Sequence, residues 1–141
     1  MDLLIQYAMS FVGCNYKWGG SNPITGFDCS GLVQEILKSV GIDPPGDQTA
    51  QDLYRHFLPK STAMNFSPGA LAFYGPSLRN IIHVGFLIDS YRMVEAGGGG
   101  SLVTNKEESA LVDAFVRIRA VRARADFLVT LKPSYLTISV R

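Results

Sequence analysis

Residues 26–41 read GFDCSGLVQEILKSVG, and their reading decides the fold. From Cys29 onward, Leu32, Val33, Ile36, Leu37 and Val40 fall on one stripe at helical spacing, and Gly41 supplies a stop. Asp28 stands where a helix N-cap belongs. The pattern predicts a helix with a cysteine in its first turn. Backbone amides there lack intrahelical partners, and the helix dipole presents its positive end. Both favour a thiolate, the nucleophilic form of the side chain. Cys29 is therefore a candidate nucleophile; the competing reading is a buried structural cysteine.

Working outward, residues 2–13 place Leu3, Leu4, Tyr7, Ala8 and Phe11 at helical spacing, with Asp2 as cap and Gly13 as terminator. Residues 14–28 are dense in turn formers and read as a loop. Downstream, Pro44-Pro45-Gly46 forms a turn, and Asp47 is expected to cap a third helix over 48–58 that Pro59 stops. Beyond residue 65 the pattern changes to short β-rich runs: ALAFYG (70–75), HVGFLID (83–89), YRMVEAG (91–97) and FVRIRAVRA (115–123). Residues 105–113 fit a helical turn or a loop, and 127–140 a further strand or a docking tail. Helices followed by sequential strands predict an α+β fold with an antiparallel sheet.

Composition narrows the function classes. A chain of 141 residues with 47% apolar and 18% charged residues fits one globular domain rather than a disordered tail. Its net charge of +1 gives no electrostatic case for a nucleic-acid partner. Two cysteines do not make a disulfide scaffold. No apolar run reaches the roughly 18–20 residues of a membrane helix, so no membrane insertion is expected. The first residues, with Asp2 where a signal peptide would be basic, carry no visible secretory signal, which predicts synthesis in the cytoplasm. Cys14, Cys29, His56 and His83 do not follow zinc-site spacing, and no metal or cofactor is expected. Gly97 to Gly100 lacks the strand–loop–helix setting of a phosphate loop and reads as a hairpin end or a loop beside a cleft.

A cysteine nucleophile needs a base. His56 sits in LYRHFL and reads as a partly exposed helical residue; His83 opens an apolar strand, from which its ring can reach a helix terminus. Glu95 lies on the next run. If Asp89-Ser90 turns a hairpin, the midpoint of 83 and 95 falls at 89, which brings the two together. A carboxylate there would orient the imidazole and favour its charged form. His83 and Arg92 are the expected ionisable partners of Glu95. Cys14 reads as a small core side chain, and a Cys14–Cys29 disulfide would consume the nucleophile. The basic cluster Arg117, Arg119, Arg122 and Arg124 reads as a solvated edge that discourages strand pairing, the alternative being a face for anionic wall polymer.

FVGCNYKWGG, GFDCSGLVQ, GIDPPGDQTAQ, SPGALAFYG, HVGFLID and MVEAG occur in an order that resembles the NlpC-type cell-wall peptidases, the NlpC and p-sixty family, over residues 5–100. The resemblance implies a papain-like α+β fold, with N-terminal helices packed on an antiparallel sheet and one catalytic domain over 1–141. It implies a thiol hydrolase of peptidoglycan stem peptides that cuts between γ-D-glutamyl and a diamino acid. By motif, Cys29 resembles the nucleophile, His83 the base and Glu95 the third, orienting residue, where the family most often has histidine. Tyr16, Asp28 and Ser30 match residues that line the site and bind the free amino end of the peptide. Trp18 reads as a packing residue. Ala70 stands where the family usually has aspartate. GALAFYG and VEAGGG look like wording carried by phages and prophages, which implies phage tail or lysis partners and a lysis, virion or secretion route to the wall. Rival readings are a wall amidase or acyl transferase with the same Cys–His site, and a catalytically silent wall-binding component.

Overall fold

The computed structural model describes residues 1–135. It begins with helix α1 (Asp2–Met9), a small hairpin of β1 (Ser21–Asn22) and β2 (Gly26–Phe27), and helix α2 (Cys29–Lys38). Helix α3 (Ala50–Phe57) and a 3-10 turn lead into β3 (Ser61–Ala63), and then β4 (Leu71–Tyr74), β5 (His83–Leu87) and β6 (Arg92–Gly97) follow. Helix α4 (Lys106–Leu111), β7 (Phe115–Ala120) and β8 (Phe127–Pro133) complete the chain. The large sheet has the order β3-β8-β4-β5-β6-β7, antiparallel throughout. This is the expected papain-like α+β arrangement. The part of the expected last strand beyond residue 135 lies outside the described residues.

Strand periodicity divides the sheet into two faces. Leu71, Phe73, Val84, Phe86, Val94 and Ala96 point toward the helices and form the main core with Leu32, Val33, Ile36 and Leu37 of α2. Ala72, Tyr74, Leu87 and Met93 occupy the other face and pack with Val121. β4 is buried on both faces, which explains why its run is continuously apolar rather than alternating.

Three local expectations change. The cap of α3 is Thr49, not Asp47: Thr49 and Asp52 form a reciprocal capping box. Asp2 lies in the first turn of α1 and makes no side-chain cap; Met1 holds the N-cap position. The segment 14–28 contains the β1–β2 hairpin, stabilised by Asn15, whose side-chain amide donates to the Thr25 carbonyl at 2.9 Å.

Candidate active site

Asp28 holds the start of α2 in place. Its Oδ1 accepts the Gly31 amide at 2.7 Å and the Ser30 hydroxyl at 3.3 Å, and its Oδ2 accepts the Gly19 amide at 3.0 Å. One carboxylate therefore caps the helix and pins the preceding loop against it. Burial raises the Asp28 pKa against these hydrogen bonds, and the nearby charge of Asp47 adds to the rise. Gly31 is required by this closeness, because a Cβ there would collide with the Gly20 carbonyl.

Cys29 is a free thiol in the first turn, half-buried, with Sγ 3.9 Å from the Ile82 carbonyl. Facing the thiol from the start of β5 is His83, 5% exposed, with Nε2 2.6 Å from Oε2 of the fully buried Glu95. The β5–β6 ladder pairs Phe86 with Val94 and Leu87 with Met93, so the hairpin is centred on residue 90 rather than 89. His83 and Glu95 are diagonal neighbours instead of direct opposites. They still share a face, because moving the centre by one residue changes the pairing by two positions and keeps side-chain parity.

Burial lowers the tendency of His83 to hold a proton, but its hydrogen bonds and charge interactions with Cys29 and Glu95 outweigh burial and raise its pKa to about 9. Burial raises the Glu95 carboxyl, and the bonds and charges of His83 and Arg119 outweigh that and hold it below its usual range. The second partner of Glu95 is Arg119 on β7, whose Nη1 donates to Oε1 at 3.1 Å. Arg92, the sequence candidate, is instead bound to Asp89 at 2.8 Å. An Arg–Glu–His chain thus ends at the thiol. Strand alternation carried no sign of Arg119, because its partner is chosen by the pairing of β6 with β7.

A cavity of about 510 Å³ opens over Cys29 and His83. Tyr16, Asp28 and Ser30, the three sequence-matched binding candidates, all line it. Tyr16 is buried, and burial, followed by the charges of Cys29 and Asp28, pushes its phenol above the ordinary range. Gly97 to Gly99 form one wall; a Cβ on Gly99 would collide with the Tyr16 ring. Trp18 also lines the cavity and is 55% exposed, so it is a rim residue and not the packing residue its sequence setting suggested. Its amide bonds the Val103 carbonyl at 2.7 Å, and the turn leaves the indole outward. Asp47 and Arg124 line the cavity too, and sequence reading assigned neither to it. His56 lies elsewhere, beside Phe57 and Lys60 in a separate groove. Cys14 is half-buried against the core and is not disulfide-bonded.

The fold and the juxtaposed thiol, imidazole and carboxylate place the molecule among papain-like α+β proteins. Residues 13–120 match the NlpC/P60 family, and the chain belongs to it. The match extends past residue 100 and takes in β7 with Arg119. The chain is 37% identical over 101 residues to the bifunctional muramidase/DL-endopeptidase CwlT of Bacillus subtilis, covering 70% of this chain and 30% of that protein. It is 32% identical over 95 residues to the gamma-DL-glutamyl hydrolase of the same organism, covering 66% and 22%. The chain therefore spans less than a third of either relative. Among solved structures, the peptidoglycan hydrolase RipB of Mycobacterium tuberculosis superposes with a TM-score of 0.68 at 25% identity, covering 96% of this chain and 65% of that one.

Proposed function

We propose that residues 1–141 act as one catalytic domain, a cysteine endopeptidase of peptidoglycan stem peptides that cleaves the γ-D-glutamyl–diamino acid amide. The observation that carries the reading is the buried His83–Glu95 pair beside a helix-N-terminal cysteine in an open cavity. The names of the relatives, a DL-endopeptidase and a gamma-DL-glutamyl hydrolase, support a cut at a glutamyl DL bond, and the diamino acid is what the family resemblance implies.

In this mechanism the Cys29 thiolate attacks the amide carbonyl, forming a carbon–sulfur bond, and the carbonyl becomes an oxyanion. The first-turn amides of α2 face the developing charge, with Cys29 N–H as the principal donor. His83, as imidazolium, gives its proton to the leaving nitrogen as the carbon–nitrogen bond breaks. The neutral imidazole then takes a proton from water, whose oxygen releases the acyl group from sulfur. Glu95 holds the ring in the orientation that presents its other nitrogen to Cys29, and it stabilises the charged ring. Tyr16, Asp28 and Ser30 receive the amino end of the peptide. Asp28 Oδ1 already accepts from Gly31 and Ser30 and Oδ2 from Gly19, so Asp28 offers its charge and the second lone pair of Oδ2.

The test is mass spectrometry of wall fragments from several bacteria treated with the protein and with Cys29→Ala. New free amino ends on the diamino acid, absent with the variant, are expected. A cut between sugar and peptide would replace the reading by the amidase one. No product, with Cys29 inert to alkylation at neutral pH, would replace it by a silent wall-binding role.

A further inference from the structure

Within the cleft, Arg124 has no part in the chemistry above. It is the only lysine or arginine among the described residues that line the cavity. The side chain is held firmly. Its Nε donates to Asp126 Oδ1 at 3.0 Å and its Nη2 to Oδ2 at 2.9 Å. Its guanidinium carbon lies 5.3 Å from the centre of the Tyr74 ring. Tyr74 is itself fixed, donating its hydroxyl to the Val121 carbonyl at 2.6 Å. In the β4–β5 ladder Tyr74 is opposite His83, with ring centres 5.4 Å apart. Arg124 and His83 thus rest against the same ring, and Arg124 belongs to the sheet side of the cleft. Asp28, Ser30 and Asp47 belong to the helix side, with Cys29. Among the described residues Nη1 of Arg124 makes no hydrogen bond.

We propose that Arg124 binds a carboxylate on the amine half of the substrate, so that the site selects stem peptides whose diamino acid carries a side-chain carboxylate. The inference rests on the endopeptidase reading. In that reaction the acyl half becomes bonded to Cys29, while the departing nitrogen lies against His83 to receive its proton. The amine half therefore occupies the His83 side of the cleft, where Arg124 is. Inside a stem peptide the α-carboxyl of the diamino acid is tied up in the next amide. The anionic group it can offer is one on its side chain: a diaminopimelate-type residue has it, and a lysine-type residue does not. A guanidinium edge matches a carboxylate in shape and charge. Asp126 and Tyr74 fix the side chain before substrate arrives, so little further ordering is needed on binding. Asp126 offsets part of the charge, so selection draws on the remaining N–H donors as well as on charge.

The experiment compares two tetrapeptides, L-Ala-γ-D-Glu-X-D-Ala, with X either diaminopimelate or lysine. For the wild-type chain, kcat/KM is expected to favour diaminopimelate by about ten- to a hundredfold, the scale of one charge-assisted hydrogen bond. Arg124→Gln collapses that ratio toward one, and Arg124→Lys retains part of it, because an ammonium keeps the charge but not the planar fork. The same peptides titrated calorimetrically against Cys29→Ala, with and without Arg124→Gln, read selection without turnover. Discriminating binding that depends on Arg124, with no cleavage by the wild type, would sink the endopeptidase reading and leave this inference standing. The inference is overturned if the wild type does not discriminate, or if Arg124→Gln lowers both peptides equally. An equal loss would mean that Arg124 serves the electrostatics of Cys29 and His83 alone.

Discussion

Each end of α2 lies beside a histidine, and the two histidines behave oppositely. At the N-terminal end His83 is raised to about 9. Just beyond the C-terminal end, His56 shares a groove with Gly41 to Pro45, and its pKa is lowered by burial and by the charge of Lys60, against a weaker pull from Asp43. The helix dipole alone predicts the reverse order, since its positive end disfavours a cationic ring and its negative end favours one. Direct contact decides the outcome. His83 is bonded to Cys29 and to the fully enclosed Glu95, which lies 2.6 Å away, whereas Asp43 acts on His56 only through its charge. A carboxylate makes a lasting imidazolium when it touches the ring out of water, and an acid that reaches the ring only through its charge does not.

The comparison can be broken most strongly at the thiol. Cys29→Ala is expected to reduce hydrolysis by at least about 10³-fold, with an unchanged far-ultraviolet circular dichroism spectrum. Cys14→Ala, which alters a thiol outside the cleft, should leave the rate within about twofold, and a comparable loss there would undo the assignment of the nucleophile. His83→Gln should cost about 10²–10⁴-fold in kcat, while His56→Gln should change it by no more than about twofold; equal losses would erase the contrast between the two ends. Glu95→Gln sharpens the contrast by removing only the contact. We expect roughly a 10–100-fold fall in kcat and an alkaline limb of the pH–rate profile displaced toward neutrality, because the imidazolium loses its anionic partner.

The pH dependence of stability follows from the same shifts. A histidine raised from 6.5 to about 9 on folding adds stability that is complete below about pH 6.5 and disappears as pH rises through 9. Glu95, held below its ordinary value, adds stability above the normal carboxylate range that disappears as pH falls through its folded value. Urea unfolding of the wild type and His83→Gln between pH 6 and 10 should therefore converge at the alkaline end; parallel curves would show that His83 carries no raised pKa. The smallest expected effects concern glycines. Gly31→Ala would ordinarily favour a helix by about 1 kcal/mol, but here the new methyl meets the Gly20 carbonyl and Asp28 Oδ1, and we expect destabilisation of about 1–3 kcal/mol by thermal unfolding. Gly41→Ala, at φ +76° with open space around it, should cost only the left-handed strain of about 1–2 kcal/mol.

Much of the site was legible locally. The Asp28 cap, the cysteine in the first turn and the strand that begins with His83 are neighbours in sequence or follow from one periodicity. Glu95 was reachable because a tight hairpin makes contacts nearly local, and a one-residue error in its centre did not change the face. Arg119 and Arg124 were not reachable. Both sat in a run of arginines that has the ordinary look of a charged edge strand, and nothing in that run distinguishes an arginine facing solvent from one bonded to a buried glutamate. Trp18 was misplaced for a related reason: aromatic residues beside glycines pack inward as often as they border clefts, and only the path of the loop decides between them.

The sequence by itself determined the helical and β-rich halves, the placing of Cys29 in the first turn of a helix and the family, because these depend on short-range periodicity, capping and contiguous motifs. The tertiary structure alone decided which charges meet. The second partner of Glu95 lies 24 residues away on β7, and the arginine beside the cleft follows that strand. Their positions depend on sheet order and on the exclusion of water around a buried carboxylate, neither of which is written in any local stretch of the chain.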